Sequence, residues 1–199
     1  MKKKLVISAI AATALINATA QINSPSSEGY YSRALHMYQD KNYNGCIDQM
    51  THLLEMNPTA QQREEADYYI AKSALAQGDV NAVDLLNSFL ENYPTSLYRN
   101  DVRKSIGDYY FIQNRYAKAY AEYKQVDETT LNSSKKDDYI YRKSYCQLKL
   151  ADYNDAEKGF KQLCGSQQYA NSSNFYCGYI AYVKGDYNKA VSYFNQVNA

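Results

Sequence analysis

Asp186-Tyr187-Asn188-Lys189-Ala190 is the last of five related pentads in this chain. The others are Asn42-Tyr43-Asn44-Gly45-Cys46, Asp79-Val80-Asn81-Ala82-Val83, Arg115-Tyr116-Ala117-Lys118-Ala119 and Asp152-Tyr153-Asn154-Asp155-Ala156. Measured from the Tyr or Val at 43, 80, 116, 153 and 187, the spacings are 37, 36, 37 and 34. A fixed period of this size marks an array of small supersecondary units. Each pentad is preceded by an aromatic-rich pattern with helical spacing and followed by a second one. Tyr116, Ala119, Tyr123 and Val126, and likewise Tyr187, Ala190, Phe194 and Val197, step by three and four, the face of an amphipathic helix. Every unit therefore reads as helix, tight polar turn, helix.

Small residues recur where two such helices would cross: Ala34 and Cys46, Ala71, Gly107 and Ala119, Ser144 and Ala156, Gly178 and Ala190. Helix axes 8–10 Å apart need small side chains at the crossing point. Connections between units are short and polar, such as Asn57-Pro58-Thr59-Ala60, and suit helix ends rather than domain linkers.

These units resemble tetratricopeptide repeats, the 34-residue helix–turn–helix modules. The fifth matches best, with Gly178 at the small position of the first helix, Gly185-Asp186-Tyr187 at the turn and Ala190 in the second helix. The third carries Ile106-Gly107-Asp108-Tyr109-Tyr110 where the family has Leu-Gly-x-x-Tyr, and the first ends on Pro58. The second departs most, with Val80 and Val83 replacing the usual Tyr and Ala. The resemblance implies an all-α, right-handed solenoid of about ten antiparallel helices. Its repeats would span about 27–60, 64–97, 100–133, 137–170 and 171–199, the last one incomplete.

Ahead of the array, Lys2-Lys3-Lys4, an apolar run from Leu5 to Ile16 and Ala18-Thr19-Ala20 have the order of a cleaved secretory signal, residues 1–20. The run is too short to span a bilayer, and no Cys follows it to accept a lipid. The reading is export to the periplasm without a transmembrane anchor, with residues 21–28 a disordered lead-in. The whole chain of 199 residues has a net charge of +1. Cleavage removes three lysines and no acid, leaving −2. Neither value suits a nucleic-acid partner, which calls for a basic excess.

The array holds no phosphate loop, nucleophile elbow or Cys-x-x-Cys pair. His36 and His52 lack metal-ligand spacing and read as surface residues; no metal, cofactor or catalytic residue is expected. Acidic runs such as Arg63-Glu64-Glu65-Ala66-Asp67 fall at helix starts, where they complement the dipole. Cys46 reads as a buried free thiol. Cys164 and Cys177, on helices that would pack together, could form a disulfide in an exported chain, with Cys146 an alternative partner for Cys177; the preferred reading is that all four cysteines are small, unbridged core residues.

What remains is tyrosine: 23 Tyr beside 5 Phe and no Trp. By the resemblance, first helices line a concave groove, and the residues falling on it are Tyr31, Tyr38, Tyr68, Asp108, Phe111, Tyr141, Tyr145, Phe175, Tyr179 and Tyr182. These rings either receive a peptide or pack between neighbouring helices. Only Lys72 and Lys104 fall on that face as cations, so a basic clamp for a C-terminal carboxylate is not expected. The resemblance implies a non-catalytic envelope scaffold for protein or peptide segments, since similar exported repeat proteins serve in outer-membrane assembly and in envelope or division complexes. A glycan-binding accessory of nutrient uptake and a self-associating structural subunit are the alternatives. Tyr182, Val191, Phe194 and Val197 would lack a covering repeat, which suggests further repeats or a second copy at that end.

Overall fold

The computed structural model describes residues 26–197, and these contain ten α-helices and no strand. The expected signal segment lies outside the described residues. So does most of the expected lead-in, whose last two residues already belong to the first helix. The helices divide between two compact units that meet between Phe89 and Leu90.

The N-terminal unit contains α1 (Ser27–Gln39), α2 (Tyr43–Glu55), α3 (Ala60–Gln77) and most of α4 (Ala82–Asn92). Ser26 starts α1 by accepting the Gly29 N–H, and Thr59 starts α3 with a reciprocal capping box to Gln62. Ala34, Cys46, Met50, Leu53 and Ala66 form its closed centre, ringed by Tyr30, Tyr31, Tyr38 and Tyr69.

The C-terminal unit contains α5 (Arg99–Ile112), α6 (Tyr116–Tyr123), a 3₁₀ turn (Glu128–Thr130), α7 (Ser133–Lys149), α8 (Tyr153–Gln162), α9 (Ala170–Val183) and α10 (Tyr187–Phe194). Two clusters fill it. One gathers Ala119, Tyr123, Tyr139, Ile140, Cys146 and Leu163 around α6 and α7. The other gathers Leu148, Ala156, Phe160, Cys177 and Ile180 around α8 and α9.

The turn inside each helix pair is the same device five times. Lys41, Gly78, Asn114, Ala151 and Gly185 all have positive φ, between 58° and 81°. The residue after each returns its N–H to a carbonyl five positions back: Asn42 to Met37, Asp79 to Ala74, Arg115 to Tyr110, Asp152 to Gln147 and Asp186 to Ala181, at 2.7–3.0 Å. This is the 6→1 bond of a Schellman ending. Asn42, Asp152 and Asp186 then cap the next helix with their own side chains, at Gly45, Asp155 and Lys189. One residue thus ends one helix and starts another, so a repeat turns in so few residues. All the small residues expected at helix crossings are buried.

Candidate functional site

Seven of the ten residues expected on the groove lie in the C-terminal unit, and a continuous system of aromatic rings joins four of them, Phe111, Tyr141, Tyr145 and Phe175. Phe111, Tyr116 and Tyr145 meet edge to face, with centroids 5.6–5.8 Å apart. Tyr141 stacks on Tyr169 at 4.7 Å and lies 6.4 Å from Tyr145. Tyr176 links Tyr145 at 5.4 Å to Phe160 at 5.0 Å, and Phe175 abuts Tyr176 at 5.4 Å. Offset and edge contacts of this kind hold rings in place beyond the effect of their buried area.

Between α7 and α9 the ring system opens into a cleft of about 330 Å³, lined by Tyr145, Leu148, Lys149, Phe175, Tyr176 and Tyr179. Tyr176 is half-buried and forms its wall, and burial raises its phenol well above the usual tyrosine range. Phe175 and Tyr179 remain 45% and 42% exposed. Tyr179 completes the cleft without joining the described ring contacts. Tyr182 is turned elsewhere, against Tyr187 at 5.6 Å, and is 59% exposed.

Charge on the neighbouring face is largely consumed internally. Lys104 on α5 reaches Asp108 at 2.8 Å and Asp138 at 2.7 Å, and Arg142 reaches Asp138 at 2.7 Å and Asp108 at 3.7 Å. Burial alone would lower the Lys104 ammonium, but the two carboxylates hold it above its ordinary value. Burial likewise pushes Asp138 upward, and hydrogen bonds from Lys104 and Arg142 bring it below the usual range. Tyr123 donates to Asp108 at 2.7 Å and Tyr169 to Asp138 at 3.1 Å. Two cations and two carboxylates close on one another, and Asp108, expected on the groove, and Lys104, expected on the same face, pair with each other.

Lys149 differs. It is exposed at the cleft mouth, its ammonium 5.6 Å and 5.8 Å from the Tyr116 and Tyr145 ring centroids, and no carboxylate among the described residues pairs with it. The sequence reading did not single out Lys149 or Tyr176. Tyr176 carries a visible signal, the 35-residue step from Tyr141.

The three remaining groove residues lie in the N-terminal unit. Tyr31 donates a hydrogen bond to Glu65, Tyr38 packs edge-on against Tyr43 and Tyr69, and Tyr68 is buried against Phe89 at 5.9 Å. Cys46, Cys146 and Cys177 are buried free thiols, and Cys164 is half-buried. His36 and His52 are exposed. No helix among the described residues is long and apolar enough to cross a membrane.

The chain is similar in structure to MamA from AMB-1, with a TM-score of 0.68 at 14% identity over 86% of this chain and 90% of that one. MamA from MSR-1 gives 0.64 at 15% identity over 86% and 94%. The C-terminal part of a TPR repeat-containing protein from Cytophaga hutchinsonii gives 0.67 at 16% identity, over 94% of this chain and 72% of that one. The chain has the tetratricopeptide-repeat fold. A family model described as an outer membrane lipoprotein, YfiO, matches residues 23–103, and no curated protein sequence matches. The five tetratricopeptide-type pairs are α1–α2, α3–α4, α5–α6, α7–α8 and α9–α10.

Proposed function

We propose that the chain is a non-catalytic scaffold of the bacterial envelope that holds an extended segment of another protein in the α7–α9 cleft. The observation that carries this reading is a preformed aromatic cleft with one uncommitted cation at its mouth. The exposed rings of Phe175 and Tyr179 offer apolar area at low entropic cost, on a wall already fixed by Tyr145 and Tyr176. The ligand it fits has an aromatic, aliphatic or proline side chain beside an acidic residue. The side chain enters between the rings and the carboxylate meets Lys149. The partial match to an outer membrane lipoprotein family and the export-like N-terminus support the envelope.

A peptide array spanning envelope-protein sequences tests the reading, with wild type compared to a Phe175→Ala/Tyr179→Ala variant. Both side chains are exposed, so the variant should fold as wild type does by circular dichroism. Acidic–apolar peptides bound by the wild type and at least about tenfold more weakly by the variant support the cleft. Equal binding by both sinks it. Retention of oligosaccharides in place of peptides would replace it with the glycan reading.

A further inference from the structure

Cys164 lies one residue beyond the Leu163 cap that ends α8, and Cys177 lies in the middle of α9. Cys177 is fully buried with Leu148, Ala156, Phe160 and Ile180, and Cys164 packs against that same cluster. The Cys164 Sγ lies 3.6 Å from the Phe160 carbonyl, and Phe160 is itself a member of the cluster that contains Cys177. The loop between them is anchored at both ends: Ser166 donates to Asp137 at 2.7 Å and Tyr169 to Asp138 at 3.1 Å. Both cysteines are therefore held against one cluster by packing and by the loop contacts. Burial raises both thiols, Cys177 to about 12. Cys164 is the half-exposed member, which an outside reagent can reach. Cys146 belongs to the other cluster.

We propose that Cys164 and Cys177 are a disulfide-forming pair whose cross-link fastens the end of α8 to α9 behind the cleft wall. The oxidant is a small or protein disulfide, such as oxidised glutathione. Cys164 loses its proton and its thiolate attacks one oxidant sulfur, breaking that S–S bond and releasing the first oxidant thiolate, which takes up a proton. Cys177 then loses its proton and attacks the Cys164 sulfur of the mixed disulfide, displacing the second oxidant thiol. Two protein thiols are oxidised to one disulfide, and one oxidant disulfide is reduced to two thiols. The loop closed is short and already ordered, so the bond constrains the unfolded chain with little demand on the native one.

The test uses the full chain equilibrated in a mixture of oxidised and reduced glutathione, denatured, alkylated with iodoacetamide and digested without reductant for mass spectrometry. The expected result is a cross-linked Cys164–Cys177 peptide pair in most molecules, with Cys46 and Cys146 alkylated. The oxidised chain should also unfold about 5 °C or more above the reduced chain, a shift that Cys164→Ser removes. Alkylation of all four thiols, or a Cys146–Cys177 pair, overturns the proposal. Peptide binding is not a readout, so the outcome is independent of the cleft reading.

Discussion

Gly107 on α5 lies directly beneath the ring of Tyr123 on α6: a β-carbon at 107 would stand 2.5 Å from Tyr123 Cε1. Gly178 and Phe194 repeat the relationship in the last helix pair, at 2.6 Å. The two rings differ in freedom. Tyr123 is fully buried, its hydroxyl donates to Asp108, and its carbonyl accepts from Tyr139 at 2.9 Å. Phe194 is 38% exposed and can swing outward.

Alanine at these two glycines should therefore behave differently. Replacing a mid-helix glycine by alanine ordinarily gains up to about 1 kcal/mol. At Gly107 overpacking costs about 1–3 kcal/mol and outweighs that gain, because Tyr123 cannot yield. Gly107→Ala should destabilise by about 1–2 kcal/mol, whereas Gly178→Ala should stay within about 0.5 kcal/mol of wild type. Urea unfolding of both variants decides it, and equal effects would refute the argument.

The repeat turns give a second prediction. Ala151 holds φ at 61°, a left-handed conformation that Gly78 and Gly185 adopt freely in the equivalent turns. A β-carbon in that region costs about 1–2 kcal/mol. Ala151→Gly should raise stability by about 0.5–1 kcal/mol, and Gly185→Ala should lower it by a similar amount. Thermal unfolding of the pair reads the sign directly.

These turns also show why so much of the fold is legible in the sequence. The five left-handed residues follow one another at the intervals of the pentads, because each pair turns through a Schellman ending, and in three of the five the next residue is an Asn or Asp that caps the following helix. Cross-repeat partners are less legible. The resemblance placed Lys104 on the groove face. What the sequence hides is that Asp138, one repeat later and on another helix, closes on it. Tyr176 was missed for a related reason: Phe175 and Tyr179 are exposed, and the adjacent residue forms the wall behind them. Lys149 stands out only once its ammonium is seen over the Tyr116 and Tyr145 rings, with no carboxylate among the described residues paired to it.

Glu157 makes stability depend on acid. Its side chain is only 10% exposed, and its carboxylate meets Lys161, Lys184 and Lys189 at 2.7–2.8 Å. Burial alone would raise it, but hydrogen bonds from the three lysines bring it from 4.5 down to about 2. Its folded value lies below its unfolded one, so the stability it contributes is full above pH 4.5 and is lost as pH falls towards 2. Because the lysines are partly solvated, that contribution is about 1–3 kcal/mol. Glu157→Gln should be destabilised by this amount at pH 6, with most of the gap to wild type gone by about pH 2.5. A gap that stays constant across that range would show that Glu157 acts through packing alone.

Lys104 and Lys149 give the last prediction, since one is spent on the fold and the other is free for a ligand. The Lys104 side chain is 12% exposed and neutralises two carboxylates, so Lys104→Gln leaves Asp108 and Asp138 crowded around Arg142 alone. Stability should fall by about 1–3 kcal/mol. Lys149→Gln removes an exposed charge and should leave stability within about 0.5 kcal/mol of wild type. Its effect should appear in binding. Affinity for an acidic–apolar peptide should drop several-fold, and the salt dependence seen with wild type should flatten, because the ion pair at the cleft mouth is gone. Titrations at low and high salt, run beside urea unfolding, separate the two lysines. If Lys149→Gln kept both affinity and salt dependence, the acidic residue would have no place in the ligand and the cleft would select on apolar shape alone.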